Sequence, residues 1–321
     1  MLYITFPAWL KPEIIPGLPV RWYGLMYLVA FAAAYLLFRI QVKQEQLSIS
    51  DDDTSNLFFW MILGLILGAR ILSTLVYDTS GVYWRKPWLI FWPFSQGSFV
   101  GLQGMSYHGG LIGAVTAAIL YCRKKKWSFL FIADRVMAAV PLGYTFGRLG
   151  NYINGELYGR VTTVPWGIVF PYAERFPVRE EWVVRIADQI GMDIAGMSAV
   201  NLPRHPSQLY EALFEGVVLW LILWFPVRKK KKYEGFISSM YLIGYGTFRF
   251  FIEYVREPDQ GLDFPIQIGD MSPNYLLTSF LNFTTGQILC FGMILAGVIL
   301  LIYSKKRNLT GLSVRKGGKK G

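Results

Sequence analysis

Residues 57–77 read LFFWMILGLILGARILSTLVY, from Leu57 to Tyr77, with Arg70 as their one charged side chain. At a rise of about 1.5 Å per residue, a helix of that length covers roughly 30 Å, the thickness of a bilayer's hydrocarbon core. Six further apolar stretches accompany it: roughly Trp22 to Ile40, Gly109 to Tyr121, Phe129 to Phe146, Ser207 to Phe225, Phe236 to Tyr254 and Gly286 to Tyr303. The 321 residues are 53% hydrophobic and 17% aromatic but only 17% charged, a balance that excludes an ordinary soluble domain. The pattern predicts an all-α polytopic membrane protein of about seven transmembrane helices, residues 1–321 forming a single integral membrane domain.

A formal net charge of +11 is compatible with nucleic-acid binding, but the cations sit in short runs beside apolar segments, where membrane topology explains them. No nucleic-acid partner is expected. Dense Lys and Arg at Arg123 to Lys126, Arg228 to Lys232 and Lys305 to Lys320 mark cytoplasmic faces. Alternation then puts the N-terminus in the periplasm and the C-terminus in the cytoplasm, with 78–107, 148–206 and the segment after Tyr254 outside. Asp51 to Asp53 is read as a cytoplasmic loop. The first twenty residues lack the basic patch and short apolar core of a cleaved signal, so the first span is expected to stay in the mature protein.

Residues 78–107 contain Trp84, Trp88 and Trp92 and read as an interfacial aromatic arm. Residues 159–206 combine a strand-like run, Gly167 to Phe170, with a polar helical run, Arg179 to Gly191. They predict a small extracytoplasmic mixed α/β cap, a periplasmic head between spans four and five, too short for a core of its own. Residues 304–321 read as a basic, lipid-contacting cytoplasmic tail. The two cysteines, Cys122 and Cys290, lie near the ends of different spans and make neither a disulfide framework nor a metal site. No metal and no cofactor is expected.

Ionisable groups inside apolar spans are costly, so each is either functional or structurally paired. Arg70, Asp134, Arg135, Arg148, Glu211, Glu215, Arg249 and Glu253 are of this kind. Tyr245, Arg249, Glu253 and Arg256 recur at intervals of four, four and three and share one helix face. Simple pairing of Arg249 with Glu253 across one turn is the bland alternative. The run Gly147-Arg148-Leu149-Gly150-Asn151-Tyr152-Ile153-Asn154-Gly155-Glu156-Leu157-Tyr158-Gly159 combines close-approach glycines, a forked phosphate donor and two amides able to bind hydroxyls. That composition suits a phosphodiester carrying a glycerol head, although glycines at a span exit also serve turns and packing.

His108 stands where the aromatic segment enters span three, and its imidazole there either takes a proton from a thiol or anchors the interface. His205, before Pro206, is read as shaping the start of span five. Neither a serine-nucleophile elbow nor a phosphate-binding loop is present, so serine-hydrolase and nucleotide-driven readings lose support.

The Gly147 to Gly159 run resembles the signature of the prolipoprotein diacylglyceryl transferase family. Trp22 to Tyr27, Tyr107 to Gly113, Arg204 to Glu211 and Tyr245 to Arg249 are similar to further family motifs in the same order, across nearly the whole chain. The resemblance implies a seven-span enzyme of the bacterial inner membrane. Such an enzyme moves diacylglyceryl from phosphatidylglycerol to the lipobox cysteine of a prolipoprotein, leaving a thioether and releasing glycerol phosphate. By the same resemblance Arg148 and Arg249 hold the phosphate, while Asn151, Asn154 and Glu156 orient the glycerol head. His108 is implied as the candidate base, with general electrostatic lowering of the thiol's pKa as the alternative, and Gly159, Tyr23, Tyr245, Glu253 and Arg256 as cavity positions. The connection from Gly261 to Gly286 is longer than the family's pattern. The implied partners are phosphatidylglycerol, the lipobox peptide and membrane lipids. The competing class is a lipid or solute transporter, against which stand the absence of repeated halves and the gathering of charges at outer span ends. A structural scaffold leaves that gathering unexplained.

Overall fold

The computed structural model describes residues 2–15, 20–95, 97–99, 101, 104–258, 264–269, 275–277 and 279–309. Apolar runs become helices because hydrocarbon offers the backbone N–H and C=O groups no partner except one another. Among the described residues, four helical runs are long and apolar enough to cross a membrane: Trp22–Gln44, Asp51–Tyr77, Ser207–Val227 and Thr285–Arg307. The pair Phe129–Met137 and Val140–Ile153, bent by 47°, makes a fifth if taken as one span. The chain is a mainly helical, multi-pass membrane protein, and the strands among the described residues form only two-stranded pairs.

Two compact units emerge, residues 38–133 and residues 1–37 with 134–321. Helix α1 is Trp22–Gln44. Helix α2 (Asp51–Leu72) extends through a π-helical turn, Ser73–Tyr77. Asp51 to Asp53, read as loop, are instead its first turn: Ser50 Oγ accepts from Asp53 N at 3.0 Å, and three carboxylates face the positive end of the helix dipole. After the short helix α3 (Val82–Arg85) come a 3-10 turn (Pro87–Phe91) and the hairpin β2 (Phe94–Ser95) with β3 (Ser98–Phe99).

Helix α4 (Tyr107–Lys125) packs on α2 through glycines on both sides, Gly64 and Gly68 against Gly109 and Gly113. A Cβ on Gly113 would meet the Gly64 carbonyl, so the backbones approach as closely as they do because no side chain stands between them. Arg70, buried in α2, donates to the carbonyls of Ile90 and Gly104 and so ties the arm to the helix.

Span four, which belongs to the other unit from Asp134 onward, is not one helix. α5 (Phe129–Met137) stops and α6 (Val140–Ile153) restarts with Pro141 in its first turn, a position that proline's missing N–H tolerates. The signature run is therefore helical as far as Ile153 and does not leave the span at Gly147. The strand β1 (Ile4–Thr5) pairs in parallel with β4 (Ile168–Val169), in register Ile4 to Ile168. Strands β5 (Phe176–Pro177) and β6 (Ala199–Val200) pair antiparallel around α7 (Glu181–Gln189). The expectation that this stretch lacks a core is corrected. Val161, Phe176, Val183, Ile186, Ala187, Ile190, Val200 and Leu202 form a buried cluster, completed by Tyr3, Tyr275 and Leu276 from outside the stretch.

Helices α8 (Ser207–Glu211) and α9 (Leu219–Ile222) join through π-helical Ala212–Val218 and continue in π-helical Leu223–Val227. Helix α10 (Phe236–Ile252) starts on Asp134: its carboxylate accepts from Gly235 N, Ser238 N and the Ser238 hydroxyl at 2.9–3.0 Å and pairs with Lys231. Helix α11 (Thr285–Leu309) takes in the first residues of the expected basic tail, whose remainder, from 310, lies outside the described residues. Much of the long connection 261–286 lies outside them as well.

Candidate functional site

Within the unit of residues 1–37 and 134–321, helical spacing assembles a charged cluster. Tyr144, Arg148 and Asn151 fall on one face of α6, at intervals of four and three. Glu211 and Glu215 fall on one face of the Ser207–Val227 run, where the π-helical turn begins at Ala212. Arg249 and Glu253 close the end of α10, with Arg256 one turn further.

These faces meet. Arg148 Nε lies 2.7 Å from the Tyr144 hydroxyl and 2.9 Å from Glu211 Oε2. Arg249 Nη1 lies 3.2 Å from Glu211 Oε2, and its Nη2 lies 2.8 Å from Glu253 Oε2. Arg256 Nη1 lies 3.4 Å from Glu211 Oε1. The Tyr144 hydroxyl is within 3.1 Å of Glu211 Oε2 and 2.7 Å of Glu215 Oε2. Tyr245 stands perpendicular to the Tyr144 ring at 5.7 Å and walls the cluster. Both glutamate side chains have 0% exposure, whereas Arg148, Arg249 and Arg256 retain 17%, 15% and 12%. The carboxylates thus form the floor and the guanidiniums the rim, the geometry that leaves cations reachable by an anion.

From the rim a polar chain runs outward. Arg148 Nη1 donates to Asn151 Oδ1 at 3.4 Å, and the amides of Asn151 and Asn154 converge on Glu156 Oε1 at 3.0 and 3.2 Å. Gln208 Nε2 holds the Glu156 carbonyl at 2.6 Å. Asn154 and Glu156, with Arg21, Tyr23 and Gly24, line a cleft of about 440 Å³. The Tyr23 hydroxyl meets that of Tyr27 at 3.0 Å. Gly159 packs backbone to backbone: its N–H donates to His205 O at 2.8 Å, and a Cβ would strike the Val255 carbonyl.

The residue after Gly159 fixes the cluster from outside. Arg160, 3% exposed, donates from Nε to the Arg256 carbonyl at 2.9 Å and from Nη1 to the Leu276 carbonyl at 2.8 Å. Burial pulls its guanidinium down to about 10. Burial and then Arg160 push His205 down to about 4, so its imidazole is neutral. Glu257 pairs with the fully buried Arg204, yet burial raises its carboxyl above the usual range.

The sequence-predicted residues Arg148, Asn151, Asn154, Glu156, Tyr245, Arg249, Glu253 and Arg256 are brought together here, with Tyr23 on the cleft. The face shared by Arg249 and Glu253 does form the simple pair, but it also reaches Glu211. His108 belongs to the other unit, exposed in the first turn of α4, with Nδ1 3.3 Å from the Tyr77 hydroxyl. Sequence reasoning missed Tyr144, Arg160 and Gln208. For Tyr144 the signal was its place one turn before Arg148; for the others, partners far along the chain left no local mark.

A family model described as Prolipoprotein diacylglyceryl transferase matches residues 12–303. A phosphatidylglycerol--prolipoprotein diacylglyceryl transferase of Treponema denticola is 53% identical over 96% of this chain and 97% of its own. Its namesakes in Treponema pallidum and Chlorobaculum tepidum are 52% and 44% identical, over 93% and 98% of this chain and 94% and 96% of theirs.

Proposed function

The chain belongs to the prolipoprotein diacylglyceryl transferase family, and we propose that it moves the diacylglyceryl group of phosphatidylglycerol onto the lipobox cysteine of prolipoproteins. The observation that carries this is the rim of three guanidiniums over buried carboxylates, joined through Asn151 and Asn154 to an open cleft.

In this reading the phosphodiester sits on Arg148 and Arg249, whose forked donors match its oxygens. Asn151, Asn154 and Glu156 orient the glycerol head, while Tyr23, Tyr245, Glu253 and Arg256 shape the cavity and Gly159 lets backbone pass close by. The cysteine sulfur attacks the glycerol carbon, a carbon–sulfur bond forms, and the carbon–oxygen bond to phosphate breaks. The electron pair of that bond goes to the departing glycerol phosphate, where the guanidiniums stabilise it; one such donor is typically worth about a hundredfold in rate. The thiolate is the competent nucleophile, and this reading carries two routes to it: His108 as the base, or electrostatic lowering of the thiol's pKa.

The membrane arrangement belongs to the same reading. α4, with 19 residues, and α10, with 17, join the longer runs and the bent pair to make seven spans. The lysine- and arginine-rich turns put the N-terminus in the periplasm and the C-terminus in the cytoplasm of a bacterial inner membrane. Residues 159–206 are then a periplasmic cap, residues 78–107 an arm in the headgroup layer, and the charged cluster faces the outer leaflet.

The test is purified protein mixed with phosphatidylglycerol and a lipobox peptide. Mass spectrometry is expected to find a diacylglyceryl adduct on cysteine and none on a Cys-to-Ser peptide. Absence of the adduct, or labelled lipid crossing vesicles without any thiol acceptor, rejects transfer. Arg148→Ala and Arg249→Ala are expected to lower transfer at least a hundredfold, and wild-type turnover in either rejects these roles.

A further inference from the structure

We propose that Glu215 holds a proton in the resting protein, shared with Glu211 through Tyr144, and that this proton gives the guanidinium cluster its single excess positive charge. The inference rests on the reading above for what the charge serves, namely an anionic headgroup, but its evidence is a count of hydrogen atoms.

A tyrosine hydroxyl has one hydrogen to give and two lone pairs. The Tyr144 oxygen has three close neighbours: Arg148 Nε at 2.7 Å, Glu215 Oε2 at 2.7 Å and Glu211 Oε2 at 3.1 Å. Arg148 Nε is a donor and uses one lone pair. The single hydroxyl hydrogen serves only one of the two carboxylates. Each carboxylate has a full hydrogen bond to that oxygen only if one of them brings a hydrogen of its own, as a carboxylic acid does; otherwise the one hydroxyl hydrogen is split between two buried acceptors.

The surroundings say which one it is. Glu211 meets Arg148 at 2.9 Å, Arg249 at 3.2 Å and Arg256 at 3.4 Å, so its negative charge is matched on both oxygens. Glu215 is equally buried, yet among the described residues the nearest guanidinium nitrogen, Arg249 Nη1, stands 3.9 Å from its Oε1, and none donates a hydrogen bond to that oxygen. A buried ionised carboxylate with one oxygen bare is expensive, whereas the carbonyl oxygen of a neutral acid tolerates the position. The groups facing Glu215 are Tyr144 and Arg148 on α6, Arg249 on α10, the buried Cys290 on α11, and Glu211 one turn away.

The consequence is a charge balance. With Glu215 neutral, three guanidiniums face the two carboxylates of Glu211 and Glu253 and leave one positive charge, the complement of one phosphodiester. With Glu215 ionised, the cluster is neutral and an anion gains nothing net by entering it. Glu215 is therefore a charge-setting residue for substrate affinity.

Infrared difference spectroscopy on the detergent-purified protein, without substrate, tests the proton directly. A neutral carboxylic acid band, shifted by 13C-glutamate labelling, is expected near neutral pH, lost on alkaline titration and absent in Glu215→Gln. No such band, or a band that survives in Glu215→Gln, overturns the inference whatever the protein does catalytically. The second measurement is the pH dependence of KM for phosphatidylglycerol. In the wild type KM is expected to rise on the order of tenfold across the same alkaline range. In Glu215→Gln, which stays neutral at every pH, KM is expected to stay flat; a wild-type profile in that variant refutes the charge-setting role. Should Glu215→Gln fail to purify, Tyr144→Phe replaces it: removing the shared hydroxyl is expected to move the band, and an unmoved band refutes the sharing. A band without any adduct in the transfer assay would sink the transferase reading and leave the shared proton standing.

Discussion

Arg249→Met separates what the charged cluster does for folding from what it does for chemistry. Arg249 lies 2.8 Å from Glu253 and 3.2 Å from Glu211, with its side chain 15% exposed and those of the glutamates 6% and 0%. At such separations a unit charge pair is worth about 5–6 kcal/mol at an effective dielectric of about 20, and breaking a buried pair typically costs about 3–5 kcal/mol. Glu211 keeps Arg148 and Arg256, so the loss falls mainly on Glu253, which retains the Thr284 hydroxyl at 3.1 Å. At roughly 2–4 °C per kcal/mol, the melting midpoint in detergent should fall by about 10 °C, read by tryptophan fluorescence. Removing the stranded charge as well, in Arg249→Met with Glu253→Gln, should recover most of that loss. Transfer activity should be lost in both. A double variant as unstable as the single one, or a single variant as stable as wild type, refutes the account of Arg249 as a partner that Glu253 cannot do without. Wild-type transfer in the recovered double variant refutes its place at the phosphate.

Three further outcomes are expected. Gly113→Ala places a methyl group against the Gly64 carbonyl and 3.0 Å from Gly68 Cα, and should destabilise α2 on α4 by about 1–3 kcal/mol, checked by melting in detergent. His205 has a folded value of about 4 against an ordinary 6.5, so between those pH values the unfolded chain binds the proton and the folded one does not. Stability is therefore complete above pH 6.5 and falls, by up to about 3 kcal/mol, as pH drops toward 4; His205→Gln should flatten that slope in melting curves taken across the range. Arg160→Met removes the two bonds that hold the Arg256 and Leu276 carbonyls. It should raise KM for phosphatidylglycerol more than it lowers kcat, whereas a purely global role would appear as lost yield with normal kinetics in the folded fraction.

What could be read from the chain depended on how local the cause was. Apolar runs gave the helices, because hydropathy is a property of each segment. Their ends were less legible: the acidic first turn of α2 is invisible to a search for apolar residues, although Ser50 before three aspartates is an N-terminal signal. Pro141 marked the break between α5 and α6 in the same way. Arg148, Arg249 and Glu253 stood out because charge in a span is costly. That Tyr144 would meet glutamates 67 and 71 residues away could not be read, since the meeting depends on how α6 and the Ser207–Val227 run are rotated against each other.

Structural pairing and ligand binding are compatible once the partners are named. An unpaired guanidinium would be hard to keep among apolar helices, and a fully paired one has nothing left for a lipid. The arrangement around Glu211 lies between these limits: one buried carboxylate is shared by three cations, so none of the three is fully satisfied by it. On the proposed reading, a phosphodiester arriving at the rim adds to the coordination of Arg148 and Arg249 without displacing Glu211. The carboxylate also fixes the direction of the forks before any ligand arrives, which reduces the ordering that binding must supply. Glu211→Gln should accordingly raise the net positive charge yet weaken productive binding, since the rim would gain attraction and lose its aim. If Glu211→Gln instead binds phosphatidylglycerol more tightly and transfers it at the normal rate, the shared carboxylate orients nothing.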